Sequence, residues 1–211
     1  MTDQLAPDFG ERSIGTYLTA LSSGAPTPGG GSAAGLAGAL GCSLGEMVCH
    51  LTRARSETDE LATLATRFAE TAATLLQLAE RDEHVFARYR VAIGLPRASD
   101  EEKAQRRAAI EQALVSAAEV PLAMIETGLI AIGDLRRTGE IGSPHAIGDV
   151  MTGGYLVQAM ILGSLENLEA NASVMKLPEN RERFDRAARL ANLQAASEFD
   201  ALQSAVRARR G

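Results

Sequence analysis

Apolar residues recur along most of this chain at steps of three and four, the spacing that places them on one face of an α-helix. The clearest run is Leu61, Ala65, Phe68, Ala72, Leu75, Ala79, position 82, Phe86, Tyr89 and Ile93. It predicts a core-facing seam on one long helix that begins near Ser56 or Thr58 and stops at Gly94, with Leu95-Pro96 beyond. A second stripe, Phe184, Ala188, Ala191, Ala195, Phe199, Leu202 and Val206, predicts a final amphipathic helix over 180–209. Ile14, Tyr17, Leu18 and Leu21 mark a short helix over 13–21.

The start and stop signals between these stripes complete the reading. Ser32 is a natural N-cap for a helix reaching about Arg55. Ser99 and Glu102 form a capping box for a helix to about Arg137, with Pro121 inside it as an expected kink. Residues 139–143 read as a turn, and Pro144 opens a fifth helix to about Lys176. Runs of β-branched and aromatic residues are scarce, so strands are not expected. The expected fold is an all-α bundle of about six helices in a single domain over 1–211, with 1–12 loose.

The helix from Ser32 is unusual because Gly35, Gly38, Gly41 and Gly45 recur inside it. Each interior glycine costs about 1 kcal/mol relative to alanine. That cost implies close approach by other backbones or by a ligand. So apolar a helix is expected to be buried on all sides, and a homodimer is one way to bury it.

Composition narrows the function classes. Aromatics make up 4% of residues and Trp is absent, which suits tightly packed helices. The net charge of −6 argues against nucleic acid as a partner. No residue from Ile14 to Gly45 is charged, but the Pro/Gly stretch 26–31 divides that run. The apolar piece left, 33–45, falls short of the roughly 20 residues of a membrane span, so a buried helix and no membrane partner are expected. Met1-Thr2-Asp3-Gln4 shows no basic-then-apolar leader pattern. Cys42 and Cys49 would stand about 10 Å apart along one helix, too far for a disulfide, and read as reduced thiols of a cytoplasmic protein.

Three features carry candidate chemistry. Asp82 occupies the one seam position that should be apolar, where a carboxylate must find a partner or shift its pKa upward. An ion pair with Arg81 or Arg88 and a role in acid–base catalysis both fit that position. Asn167 and Asn171 lie one helical turn apart and share a face, as either a surface pair or a ligand-binding pair. Pro26-Thr27-Pro28-Gly29-Gly30-Gly31-Ser32 combines a tight turn with a helix N-terminus whose free N–H groups could hold an anion. It lacks the preceding strand of a dinucleotide fingerprint and the Gly-Lys-Ser/Thr of a phosphate loop. Glu80 and His84 could share a metal, but two ligands without a third are weak support, and no metal is expected.

The stretch Ala25-Pro26-Thr27-Pro28-Gly29-Gly30-Gly31-Ser32-Ala33-Ala34, running into Leu36-Ala37-Gly38-Ala39-Leu40-Gly41 and Met47-Val48, resembles the opening of the formimidoyltetrahydrofolate cyclodeaminase and methenyltetrahydrofolate cyclohydrolase family. Asp82 with Phe86 and Tyr89, Val120-Pro121-Leu122 with Glu126, Asp149, and the pair Asn167 and Asn171 match further family positions in order. The chain departs from the family at Arg53-Ala54-Arg55-Ser56, where a Gly and several basic residues are usual. The resemblance implies a helical homodimer with a groove for a tetrahydrofolate substrate and no permanently bound cofactor. It assigns acid–base catalysis to Asp82. It assigns substrate binding to Pro28, Gly29, Gly30, Gly31, Ser32, Asn167 and Asn171, with Arg53 and Arg55 for the glutamate tail. Asp149 would lie about 27 Å from Asn167 along a straight helix and ranks lower. The first expectation is cyclisation of 5-formimidoyltetrahydrofolate to 5,10-methenyltetrahydrofolate with loss of ammonia. The alternatives are hydrolysis of the methenyl bridge to 10-formyltetrahydrofolate and a folate-binding dimer without catalysis.

Overall fold

The computed structural model describes residues 9–54 and 59–210, in which the chain forms six α-helices and no strand. They are α1 (Ile14–Leu21), α2 (Gly30–Arg53), α3 (Asp59–Ile93), α4 (Asp100–Ile141), α5 (Ile147–Ser173) and α6 (Pro178–Arg210). Helix α2 packs along α3 and α5 and touches α4, while α4 also packs on α3, α5 and α6.

The glycines of α2 explain its central place. A Cβ on Gly41 would lie 2.6 Å from the Gly153 carbonyl oxygen, and one on Gly153 would lie 2.8 Å from that of Gly41. The backbones of α2 and α5 therefore touch at a point where no side chain fits. At Gly45 the Phe68 ring of α3 takes the space a methyl would need. Phe68, Leu75, Met124, Ile132, Met160 and Phe184 are among the fully buried side chains, each contributing about 1.5–3 kcal/mol by leaving water. Cys42 and Cys49 are buried, unpaired thiols, and burial pushes Cys42 up to about 12.

Several boundaries differ from the sequence reading for local reasons. Helix α2 is capped at Gly29, not Ser32. Ser32 instead sits in the first turn, where its hydroxyl accepts the Gly29 N–H at 3.3 Å and contacts the Tyr17 hydroxyl at 3.1 Å. Helix α4 keeps the expected Ser99–Glu102 box but continues through Pro121 and Gly139 to Ile141. Gly139 is buried against Val206 of α6, so packing holds it helical, and the stop comes at Gly142. Pro144–Ala146 forms a 3-10 turn ahead of α5. In the segment expected to be loose, residues 9–11 form a 3-10 turn, Phe9 stacks edge-on against Tyr17 at 5.4 Å, and Arg12 pairs with Glu83 at 3.0 Å. Ile14 and Leu18, expected to face inward, are exposed; only Tyr17 and Leu21 hold α1 down.

The seam of α3 is buried from Leu61 to Ala79, apart from the half-buried Ala72, then turns. Beyond Asp82 the inward residues are Val85 and Ala92, while Phe86 and Ile93 are exposed. The reason is a change of partner. Helix α2 begins at the level of Asp82, so the last turns of α3 run beyond it and face α4.

By length and composition three segments, Gly30–Arg53, Asp100–Ile141 and Pro144–Ser173, are long and apolar enough to cross a membrane. The charge-free run 33–45 was therefore too narrow a measure for α2. About half of each apolar window is buried against the other helices of the bundle.

Candidate active site

The N-terminus of α2 and the C-terminal halves of α3 and α5 border a cavity of about 210 Å3. The glycine turn forms one wall, Asp82 and Phe86 of α3 a second, Ala117 of α4 a third, and Asn167 and Asn171 of α5 the fourth. Three sequence-predicted features, the glycine turn, Asp82 and the asparagine pair, thus meet in one place from three distant segments.

Asp82 is packed directly against Gly31. A Cβ on that glycine would overlap the carboxylate, so position 31 admits no side chain while Asp82 holds this rotamer. The Ser32 N–H donates to the Asp82 carboxylate. The anion expected at this helix N-terminus is therefore the protein's own side chain. Neither Arg81 nor Arg88 pairs with it among the described residues. Burial pushes the Asp82 pKa up to about 6, the Ser32 hydrogen bond draws it down, and the neighbouring Glu83 raises it. A carboxylate titrating there is largely ionised at neutral pH yet readily protonated, as a proton-transfer group must be.

The asparagines are held by their own amide hydrogens. Asn167 Nδ2 donates to the Gly163 carbonyl at 2.7 Å, and Asn171 Nδ2 donates to the Ala117 carbonyl at 3.1 Å. Among the described residues nothing donates to either amide oxygen, so both remain acceptors for the N–H groups of a heterocycle. A Cβ on Gly30 would lie 3.6 Å from Asn167 Nδ2, which brings the turn and the amide pair within contact. Pro28 is buried at the base of the turn after a cis Thr27–Pro28 bond.

Other predicted residues lie elsewhere. Arg53 closes the far end of α2, about 32 Å from Ser32 along the axis. Asp149 is in the first turn of α5, about 27 Å from Asn167. Neither lines this cavity. Arg55 lies outside the described residues. No three His, Cys, Asp or Glu side chains converge on a point among the described residues. The sequence reading missed Tyr17, whose buried hydroxyl holds Ser32 under the turn. Its apolar spacing marked it as buried, but nothing local names a partner fifteen residues on.

Residues 13–190 match the family model described as formiminotransferase-cyclodeaminase. The chain is 35% identical over 167 residues to a methenyltetrahydrofolate cyclohydrolase of Methylorubrum extorquens, covering 77% of this chain and 80% of that one. It is 28% identical over 183 residues to the formimidoyltransferase-cyclodeaminase of Rattus norvegicus, covering 82% of this chain but only 34% of that longer protein. The fold is similar to the crystal structure of formiminotetrahydrofolate cyclodeaminase from Thermotoga maritima, with a TM-score of 0.83, 21% identity, and coverage of 94% of this chain and 98% of that one.

Proposed function

The chain belongs to the formiminotransferase-cyclodeaminase family of folate one-carbon enzymes, and from that premise we propose that it hydrolyses the methenyl bridge of 5,10-methenyltetrahydrofolate. The observation that carries the chemistry is Asp82, a half-buried carboxylate beside an asparagine pair and a glycine turn. The bridge carbon is electrophilic. Water attacks it and loses a proton to the Asp82 carboxylate, giving a tetrahedral carbon bonded to N5, N10 and hydroxyl. Asp82 returns that proton to N5 as the carbon–N5 bond breaks. The hydroxyl proton leaves to solvent as the formyl carbonyl forms on N10, so one proton is released overall. The asparagine oxygens hold the pterin N–H edge, so that the bridge faces Asp82.

Hydrolysis is placed ahead of ring closure with ammonia loss because the relative of matching length, at 35% identity, carries that activity. The second reading is cyclisation of 5-formimidoyltetrahydrofolate, favoured by the 28% identical bifunctional relative. There N10 attacks the formimidoyl carbon, and protonated Asp82 delivers a proton to the departing ammonia. The two readings differ in sign against pH. Hydrolysis starts from the carboxylate, so kcat falls as pH drops through about 6; ammonia release starts from the acid, so kcat falls as pH rises through it. Methenyl absorbance, followed with each folate, separates them. Accelerated loss supports hydrolysis, and appearance from the formimidoyl compound supports cyclisation. A protein that binds reduced folate but changes neither rate is a binding module.

A homodimer accompanies this proposal. Leu40, Met47 and Leu51 of α2 and Leu162 of α5 are exposed on neighbouring helices. An antiparallel twofold pairing through this face would bring the Arg53 end of a second copy toward the Asp82 cavity.

A further inference from the structure

The groove between α3 and α4 does not end at Asp82. One turn beyond Val85 and Phe86, the same two helices enclose a second hollow of about 270 Å3. The two follow one another along the helices: Phe86 and Ala117 line the first, Arg88, Ala113 and Ser116 the second. Its walls are apolar, from Val91 and Ala92 on one side and Ala113 on the other. Three polar groups interrupt them: Gln112, Ser116 and Arg88. Arg88 is the single charged residue in this lining and makes no ion pair among the described residues. The hollow exists because the α3 seam turns after Asp82, so that small residues from both helices face each other.

We propose that this hollow holds the aminobenzoyl-glutamate half of the folate, with Arg88 on a glutamate carboxylate; the inference rests on the folate reading of the Asp82 cavity. An apolar slot fits the benzoyl ring, Gln112 and Ser116 fit its amide, and the guanidinium fits a carboxylate. The rise from Asp82 to Arg88 is about 9 Å along α3, so a folate with its bridge at Asp82 runs its tail toward the guanidinium. Within one subunit Arg88 thus takes the role the sequence reading gave to Arg53 and Arg55.

The test is a substrate pair crossed with a charge variant. 5,10-Methenyltetrahydrofolate is compared with its tetrahydropteroate counterpart, which lacks the glutamate. Arg88→Gln raises KM for the folate about 10-fold, affects KM more than kcat, and leaves KM for the pteroate near the wild-type value. Arg88→Lys restores most of the loss. Equal effects of Arg88→Gln on both substrates, or on neither, overturn the tail assignment while wild-type turnover keeps the folate reading alive. Wild-type protein that neither binds nor converts either compound overturns both.

Discussion

Two carboxylates sit in the interface between α3 and α4 or beside it, and their surroundings send them to different ends. Asp134 of α4 is 5% exposed, with one oxygen 2.9 Å from Arg67 of α3. Its other oxygen has no hydrogen-bond partner among the described residues. Burial raises its pKa and the Arg67 guanidinium draws it back. Among the described residues Asp82 has no cation, and the Ser32 peptide N–H donates to it where it borders the cavity. A guanidinium ties a buried carboxylate to a structural role; leaving it facing a void with a single neutral donor keeps its lone pairs for substrate. Glu111 is a third solution. Burial opposes its ionisation, but Asn180 Nδ2 and the Lys176 and Leu177 N–H groups donate to it and hold its pKa low, tying the α5–α6 turn to α4.

The sharpest way to break this contrast is Asp82→Asn. Turnover is expected to fall by about 10²–10⁴-fold, the usual span for general acid–base catalysis, while folate still binds. Stability should move the other way. The folded pKa lies above the ordinary value of 3.8, so the wild-type carboxyl favours folding at low pH and loses that contribution as pH rises through about 6. Above pH 6 the Asn variant should therefore be more stable by about 1–3 kcal/mol, with the advantage gone below pH 4. Denaturant titrations at two pH values check it. An Asn variant with wild-type turnover would falsify the assignment of Asp82.

Gly31→Ala should come next. Its methyl needs the volume Asp82 occupies, so the carboxylate must swing out of the cavity. A displacement of that kind costs on the order of 10²-fold in kcat. The melting temperature should change far less than activity, which thermal scans and initial rates will show together.

Arg67→Ala converts Asp134 toward the state of Asp82. Leaving this carboxylate without its cation should cost about 1–3 kcal/mol at neutral pH, discounted because Arg67 is itself half-exposed. The loss should be recovered as pH falls through the newly raised folded pKa of Asp134, because protonation removes the uncompensated charge. Asp134→Asn should have the smallest effect, under about 1 kcal/mol, with turnover unchanged. A large catalytic defect in that variant would erase the distinction between the two sites.

The Asp82 side of this contrast is legible in the sequence. The three-and-four spacing of α3 isolated Asp82 as the polar residue in an apolar seam, and one helical turn between Asn167 and Asn171 put both on one face. Both inferences rest on helix periodicity, which is local. The partners could not be read the same way. That Asp82 would itself cap α2, that the seam would rotate once α2 had ended, and that Arg67 would reach Asp134 all depend on where helices distant in sequence cross. Gly139 looked like a breaker and is helical because Val206 packs on it.

The amino-acid order by itself determined six helices, their breaks at proline and glycine, and the glycine-lined face of α2 that admits other backbones. Hydrogen bonding within a helix and side-chain volume suffice for that. Only the tertiary structure decided which carboxylate is neutralised and which faces a cavity. Desolvation and pairing are set by neighbours dozens of residues away, and a pKa follows those neighbours rather than the residue's place in the chain.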